Sequence, residues 1–362
     1  MKKMKKLLCG AAAAALTAGM LLTGCGSGKS SAASSETAGQ TGSAKETQAA
    51  AKGSGKLEEF DVVLDWYPNA VHSFIYDAIE KGYFADEGLD VKVLFPSNNN
   101  DPISLAAAGK VDAGIYYMDD VIITNAKEGV PVKAFGTVVN EPVDVFASVA
   151  DKNITKAEDL KGKTLGYTGT EYSDAAIKCV VKNAGLTMDD VKLVNVGFDL
   201  MSSMTTGNVD ATYGCYINHE IPQLEKEGFK MNTFMASDYG IPEYYSLVFV
   251  AGEKNITADQ DKYARFLRGC QKGFADMKEK PEDTLNILLD NQDSSNFPLD
   301  EDVEKKSLSI LLPIMESDDK PFLYQDPAVW NENIKWLKEN GLIEKDVKAE
   351  DLIVNPIGDL KK

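Results

Sequence analysis

One short stretch, GNVDATYGCYINHE at residues 207–220, places a thiol, an imidazole and a carboxylate within a few positions. Cys215 and His219 have the spacing of a metal-ligand pair, but a closed zinc site needs four ligands and His72 is the only other histidine of the chain. The same two residues could form a nucleophile and its base, yet the chain has no G-x-S-x-G motif. We therefore expect no metal, no cofactor and no catalytic residue here, and predict Cys215 to be a small buried residue.

Glu220 has a different chemistry. It precedes Pro222 near a predicted helix start, where the helix dipole favours an ionised carboxylate. Such a carboxylate only accepts hydrogen bonds, so it suits an amine or a protonated ring nitrogen. Together with Tyr216 and Asn218 it is predicted to bind a small molecule.

The opening of this stretch occurs twice, because GKVDAGIYYMDD at residues 109–120 repeats the pattern G-x-V-D-A. In each copy a glycine ends a helix and Val-Asp-Ala begins a strand. Ligands of open α/β sheets bind beyond the carboxyl ends of the strands. Asp112 and Asp210, at the other end, are therefore predicted to bond nearby backbone. Tyr116, Tyr117 and Asp119 are predicted to face a ligand.

Two further strand ends carry polar residues. The segment DWYPNAVH, after the first strand, supplies Asp65, Trp66, Asn69 and His72, and the Trp66 indole could stack on a flat ring. The segment YTGTEYS supplies a glycine-bearing turn at a helix N-terminus, where free backbone N–H groups suit a polar or anionic group. Its predicted ligand-binding residues are Thr168, Gly169, Thr170 and Glu171. Thr170 could equally act only as a helix N-cap.

Strands and helices alternate along the chain, which predicts an α/β fold with mostly parallel sheets flanked by helices. The predicted strands of the first unit are 60–64, 91–95, 111–116 and 132–138, and those of the second are 143–149, 163–167, 191–196 and 209–213. A further strand at 246–251 precedes a mostly helical segment from residue 258 to about 339. About three hundred residues exceed what one hydrophobic core usually serves, so two lobes are expected.

The N-terminus predicts export. Four lysines within the first six residues precede an apolar run and the sequence Leu-Thr-Gly-Cys, which resembles a bacterial lipobox. Residues 1–24 are predicted to be a lipoprotein signal peptide, with Cys25 lipidated. The small and polar composition of residues 25–56 predicts a flexible tether.

Charge excludes one class of partner. Removal of the four lysines of the signal leaves 34 of the 38 basic residues against 56 acidic ones. Such an acidic surface opposes nucleic-acid binding, which needs basic patches. Of the remaining cysteines, Cys179, Cys215 and Cys270 have an irregular spacing that favours free thiols over a disulfide framework.

Four segments resemble the substrate-binding proteins of ABC importers that carry the pyrimidine precursor of thiamine, formylaminopyrimidine or hydroxymethylpyrimidine. They are LDWYPNAVHSFIYDAIEKGYFADEGLDVKV, GKVDAGIYY, DLKGKTLGYTGTEYSDAAIK and NVDATYGCYINHE. Fungal hydroxymethylpyrimidine phosphate synthase shares the fold of these proteins. The resemblance runs from about residue 62 to about residue 251 and is weak over the helical C-terminal third.

The resemblance implies a type II periplasmic-binding-protein fold with a two-segment hinge near Val145 and Val248. Lobe 1 would comprise residues 57–145 and 249–362, and lobe 2 residues 146–248. Ligand would close the lobes, and the closed, monomeric protein, held to the membrane only by its lipid, would dock on an ABC permease with its ATPase. Trp66 would pack on the pyrimidine, with Asn69 and His72 lining lobe 1. Glu220 and Tyr216 would bind the amine edge, and residues 168–171 would contact the substituent.

The chain departs from this family at one motif. Similar binding proteins often have Y-W-N-W-E where this sequence has Tyr216-Ile217-Asn218-His219-Glu220. A less crowded pocket could take another heterocycle, including a flavin, and the shared GYFADEGLDV segment also occurs in nitrate-, sulfonate- and taurine-binding proteins. The synthases carry a cysteine-rich run that is absent here and are cytosolic, so the export signal argues against a synthase. An exported pyrimidine-synthesis-type enzyme is therefore the less favoured alternative.

Overall fold

The structure is a computed structural model that describes residues 56–98, 100–197, 199–294 and 298–358. The predicted signal peptide, Cys25 and nearly all of the predicted tether lie outside the described residues. Strands and helices alternate from Glu58 onward, as the apolar periodicity predicts.

Most of the strands bury side chains on at least one face, whereas the strand Lys192–Asn195 has none that is buried. The strands are β1 (Glu58–Val63), β2 (Leu89–Leu94), β3 (Ala113–Tyr116), β4 (Val132–Val139), β5 (Asp144–Val149), β6 (Thr164–Tyr167), β7 (Lys192–Asn195), β8 (Ala211–Tyr216), β9 (Met231–Met235) and β10 (Leu247–Gly252). The helices between β1 and β10 are α1 (Ser73–Glu80), α2 (Tyr83–Asp86), α3 (Asp101–Ala107), α4 (Met118–Glu128), α5 (Glu171–Asn183), α6 (Leu200–Thr205) and α7 (Glu220–Lys226). Those that follow β10 are α8 (Glu253–Ala258), α9 (Gln260–Glu279), α10 (Pro281–Asp290), α11 (Glu301–Met315), α12 (Pro327–Glu339) and α13 (Ala349–Leu352).

Two five-stranded sheets organise these elements, in the orders β2-β1-β3-β10-β4 and β7-β6-β8-β5-β9. In each sheet the first three strands pair in parallel, and the inserted strand, β10 or β5, pairs antiparallel on both sides. Four strands of each sheet therefore point the same way, as predicted, but the sheets are mixed in their pairing. The reason is that the chain enters the second sheet with β5 and returns to the first sheet with β10, and each of these strands runs antiparallel to its neighbours.

Two details of the second sheet differ from the sequence prediction. β8 continues beyond residue 213 to Tyr216, because Asp144 and Val145 of β5 pair with Tyr216 and Cys215 across a register shift. β9 was not predicted at all. It is an edge strand in which only Phe234 is buried, so it lacks the apolar pattern that marks an interior strand.

The repeated aspartates fasten neighbouring strands, which confirms their predicted scaffold role. Asp112 accepts the Asp61 N–H at 3.0 Å, and its other oxygen pairs with Lys262 at 2.7 Å. Asp210 accepts the Thr164 N–H at 2.9 Å and pairs with Lys152 at 3.2 Å. The recurrence of G-x-V-D-A thus reflects the same strand-entry contact in both sheets.

The C-terminal helices extend the cores of both sheets. α9 stacks Phe266 on Phe60 of β1 at 4.3 Å between ring centroids, and Leu308 and Leu311 of α11 join the same core. α12 instead brings Trp330 and other residues into the core shared by α4 and the second sheet. Among the described residues, no helix is long and apolar enough to cross a membrane.

Candidate functional site

The turn after β1 is held by a buried histidine. The Asn69 N–H donates to His72 Nδ1 at 3.2 Å, so Nδ1 carries the lone pair and Nε2 carries the proton. Nε2 then donates to Asp65 Oδ1 at 2.8 Å, and both side chains are buried. The Asn69 side chain accepts the Val71 N–H and donates to the Tyr67 carbonyl, which makes it the cap of a short 3₁₀ helix, Ala70–His72. His72 and Asn69 therefore shape the turn.

Trp66 lies at the surface of that turn. Its side chain is 40% exposed and packs edge-on against the Tyr67 ring, with 5.4 Å between centroids. A large apolar side chain exposed beside a polar strand end is suited to stacking on a flat ligand.

The ends of β3 and β8 bring one tyrosine from each sheet together. The hydroxyls of Tyr117 and Tyr216 hydrogen-bond to each other, and both side chains lie within electrostatic reach of Asp65. Burial, together with Asp65, raises the pKa of both phenols, so both are neutral donors at physiological pH. Tyr116 is turned elsewhere, because its hydroxyl donates to Asn100 at 3.0 Å. The structure thus joins two of the predicted site residues across the sheets and separates the third.

Deeper at the same junction is an acid–tyrosine cluster, formed by Asp119, Asp144, Tyr172, Tyr213 and Tyr244. The Tyr244 and Tyr213 hydroxyls donate to Asp144 Oδ2 at 2.5 and 3.3 Å. Asp119 is 6% exposed, and its Oδ1 has no hydrogen bond of 3.5 Å or less among the described residues, although the Tyr172 hydroxyl lies near enough to interact with the carboxyl. In the described part of the chain, no lysine or arginine forms an ion pair with the carboxyl of Asp119 or with that of Asp144. The cluster is therefore acidic, buried and incompletely paired.

These surroundings favour protonated carboxyls. Burial, with Asp120 and Asp144 nearby, raises the pKa of Asp119 well above its usual value, and the Tyr172 hydroxyl offsets only part of this rise. Burial also raises the pKa of Asp144, although the Tyr244 and Tyr213 hydroxyls partly offset it, and raises that of Asp120 to about 6. A neutral carboxyl both donates and accepts a hydrogen bond, unlike the purely accepting carboxylate.

Glu220 is engaged within its own strand end. Its Oε2 accepts the Tyr216 N–H at 2.8 Å, and its Oε1 lies 3.4 Å from His219 Nδ1. Cys215 is buried beside Thr212, with 3.4 Å between the thiol and hydroxyl, and burial raises its pKa to about 12. In the described part of the chain, no group of three or more His, Cys, Asp and Glu residues is arranged to hold a metal ion.

Residues just before α7 contact α11, which the sequence prediction did not include in the site. Asn218 Nδ2 donates to Ser307 Oγ at 3.1 Å, and His219 Nε2 lies 3.8 Å from Glu304 Oε1. Glu304 is 1% exposed, and its other oxygen accepts the Ala70 N–H at 2.7 Å. α11 thus contacts both the turn after β1 and the end of β8.

The loop before α5 is built as a helix N-terminus. Thr170 accepts the Ser173 N–H at 3.1 Å, and the Thr168 and Ser173 hydroxyls are 3.3 Å apart. Gly169 has φ +81°, a backbone conformation that favours glycine. The exposed Glu171 forms an ion pair with Lys127 of α4. The N-cap function predicted for Thr170 is confirmed, and its contact with a ligand stays a prediction.

Sequence reasoning missed Glu304, Ser307, Asp144, Tyr172 and Tyr244. Glu304 and Ser307 lie in the segment where the family resemblance is weak. Tyr172 belongs to the segment YTGTEYS but is not among the site residues predicted from it, and Asp144 and Tyr244 lie in or beside a predicted strand without a distinctive motif. One signal was present, since Asp144 is an acidic residue at the start of an otherwise apolar strand.

Comparison with known proteins places these features in a family. The family model described as "NMT1/THI5 like" matches residues 69–284. A formylaminopyrimidine-binding protein of Halalkalibacterium halodurans is 44% identical over 295 residues, which cover 82% of this chain and 89% of that protein. A 4-amino-5-hydroxymethyl-2-methylpyrimidine phosphate synthase of Uromyces fabae is 27% identical, covering 80% of this chain and 85% of the relative. The relatives thus include both a binding protein and synthases.

Solved structures agree on the fold. The periplasmic aliphatic sulphonate binding protein of Escherichia coli superposes with a TM-score of 0.63 at 15% identity, covering 84% of this chain and 94% of that one. The chain therefore has the periplasmic-binding-protein fold that its sequence predicts.

Proposed function

The chain belongs to the NMT1/THI5 like family, and from that premise we propose that it is the extracytoplasmic solute-binding protein of an ABC importer, with an aminopyrimidine precursor of thiamine as its ligand. The observation that carries the proposal is the acidic junction between the two sheets. The ligand class comes from the formylaminopyrimidine-binding protein to which the chain is 44% identical. Trp66, Tyr117 and Tyr216 supply aromatic surface and neutral hydroxyls at the mouth of this junction.

The charge of the junction favours an amine over an anion. Asp65, Asp119, Asp144 and Glu220 contribute carboxyls there, and a nitrate or sulfonate would meet repulsion from any that are ionised. A ligand with N–H donors would instead complete the hydrogen bonding of Asp119. This argument separates the aminopyrimidine from the anionic ligands of other proteins with the same fold.

Asp119 is the acceptor that we assign to the amine edge. Both oxygens of Glu220, the residue predicted for this role, already face Tyr216 and His219, whereas Asp119 Oδ1 is buried and unpaired among the described residues. A neutral carboxyl can donate its O–H to a ring nitrogen and accept an N–H from the adjacent amino group. An aminopyrimidine presents these two groups side by side, so the pair would be bidentate.

The remaining parts of the proposal concern delivery. Cys25 would carry the lipid anchor and residues 25–56 the tether, with the monomer docking on a permease and its ATPase. Lobe 1 (57–145 and 249–362) and lobe 2 (146–248) would close on the ligand. Since β5 lies in the second sheet and β10 in the first, we place the two crossings slightly before those predicted bounds, within 140–143 and within 236–246. The protein would bind its ligand without converting it, as the relative named for binding suggests.

Calorimetric titration of the purified protein tests the ligand class. We expect formylaminopyrimidine or 4-amino-5-hydroxymethyl-2-methylpyrimidine to bind with a Kd of about 1 μM or tighter, about −8 kcal/mol. The same pyrimidine without its 4-amino group, riboflavin, nitrate and an alkanesulfonate serve as matched controls. Binding of nitrate or sulfonate with no response to either aminopyrimidine would contradict the proposal. Mass spectrometry of the incubated ligand checks that it is recovered unchanged.

A further inference from the structure

The contact between α7 and α11 joins a core of the first sheet to a core of the second. α11 contributes Leu308 and Leu311 to the core of the first sheet, whereas α7 contributes Ile221 and Leu224 to a core of the second. Between them lie the Asn218–Ser307 hydrogen bond and the approach of His219 to Glu304. An exposed ion pair of Lys226 with Asp302, 3.0 Å, lies at the edge of the same contact. Any change in the separation of the sheets at this point must break these interactions.

Glu304 occupies a central position in this contact. It is almost fully buried, and one oxygen holds the Ala70 N–H of the turn that presents Trp66 and His72. Its other oxygen faces His219, whose second ring nitrogen faces Glu220. The two histidines of the chain, His72 and His219, both lie within electrostatic reach of Glu304. The Glu304 carboxylate thus contacts residues beside the proposed ligand site that belong to both sheets.

We infer that Glu304 is a positioning residue. By holding His219 beside Glu220, it makes the relative placement of the two sheets depend on the protonation of His219. An imidazolium between two carboxylates attracts both, one from each side of the junction. A neutral imidazole can donate from only one of its nitrogens, so the carboxylate oxygen that faces the other nitrogen loses its donor. Loss of the proton therefore weakens the contact between α7 and α11.

The groups around the imidazole set the direction of the pH dependence. Burial alone lowers the pKa of His219, but Glu220 and Glu304 outweigh it, so the pKa lies above that of an ordinary histidine. Burial raises the pKa of Glu304, and Asp300 raises it further. His219, the Ala70 N–H and His72 lower the same pKa and so offset part of the rise. A histidine with a raised pKa stabilises the contact below about pH 6.5 and loses this contribution as the pH rises through the raised value.

Histidine NMR of the tag-free protein tests the assignment directly, because only two imidazoles contribute signals. The variant His219→Asn identifies the His219 resonance. We expect Glu304→Gln to lower the His219 pKa, shifting the midpoint of its titration by about 1 pH unit, since the variant keeps the acceptor for Ala70 but removes the charge. Lys226→Gln, which removes only the exposed ion pairs of the same contact, should leave this titration unchanged.

Small-angle scattering of the ligand-free protein tests the consequence. The radius of gyration of the wild type and of Lys226→Gln should increase between about pH 6 and about pH 9, while His219→Asn and Glu304→Gln should have the larger value at both. The inference is overturned if Glu304→Gln leaves the His219 titration unchanged, or if the wild-type radius does not depend on pH. Neither measurement uses a ligand, so both remain informative if the aminopyrimidine does not bind.

Discussion

Replacement of Asp119 by asparagine should make the ligand-free protein more stable at alkaline pH while preserving much of its affinity. Asparagine has nearly the shape of aspartate but cannot ionise. Burial raises the pKa of Asp119, so in the folded protein the carboxyl retains a proton that the unfolded chain releases above about pH 4. The free energy of unfolding of the wild type therefore decreases as the pH rises from about 4 towards the folded-state pKa, and the variant lacks this contribution.

The magnitude follows from the burial of the side chain. A buried polar atom without a partner costs about 1–3 kcal/mol, and an ionised one costs more. Asparagine also leaves amide atoms unpaired but avoids the cost of the charge, so we expect a net gain of about 1–2 kcal/mol near pH 8. Unfolding about three hundred residues releases about 0.6 kcal/mol/K of entropy, so that gain raises the Tm by about 1.5–3 °C. Thermal unfolding of the two proteins between about pH 4 and about pH 8 should show a difference that grows with pH. The exposed Asp318→Asn variant is the control and should show no such growth.

The affinity of the same variant tests the proposed neutral form of Asp119. An amide presents an N–H donor and a carbonyl acceptor side by side, as a neutral carboxyl does. Asp119→Asn should therefore bind 4-amino-5-hydroxymethyl-2-methylpyrimidine within about tenfold of the wild type, whereas Asp119→Leu should lose about a hundredfold or more. The reasoning is refuted if the Asn variant is less stable than the wild type at about pH 8, or if Asn and Leu reduce affinity equally.

Three further substitutions follow from single features of the structure. Trp66→Ala should change the free energy of unfolding by less than about 1 kcal/mol, because the side chain is 40% exposed. Calorimetry should nevertheless show that its affinity for the aminopyrimidine is reduced about tenfold or more, whereas Trp66→Phe should retain most of the affinity. Cys215→Ala should retain binding and lose about 1 kcal/mol of stability, and alkylation of native Cys215 by iodoacetamide near pH 8 would contradict the burial that raises its pKa to about 12. Gly169→Ala should lower stability by about 1–3 kcal/mol, because the added Cβ would lie 2.0 Å from Asn195 Nδ2 at φ +81°. Adding Asn195→Ala should recover the part due to the clash, and no recovery would assign the loss to the backbone alone.

Much of the architecture follows from local patterns. The apolar runs of β4 and β10 are nearly continuous because these strands are buried on both faces, so their positions could be predicted within a few residues. β9 has no such run, since it lies at an edge and most of its side chains are partly exposed. The antiparallel insertion of β5 and β10 could not be predicted from periodicity, because strand periodicity does not depend on direction.

The candidate site shows the same division. The sequence placed Asp65, Tyr117 and Tyr216 at strand ends, and the structure brings these residues to one junction. It also predicted an acceptor at Glu220, but the fold turns both oxygens of that carboxylate towards protein groups. Which carboxyl is left unpaired depends on how the two sheets approach each other, which no local pattern records.

The sequence by itself therefore determined the α/β alternation, the repeated strand-entry aspartates Asp112 and Asp210, and the presence of polar side chains at strand ends. These features depend on residues close together in the chain or on a regular period. Only the tertiary structure decided that Glu304 of the C-terminal helices lies against His219 and that Asp119 lies near Asp144. Those contacts join distant segments, and packing of separate helices and sheets fixes them, because burial and charge at each position depend on every element that surrounds it.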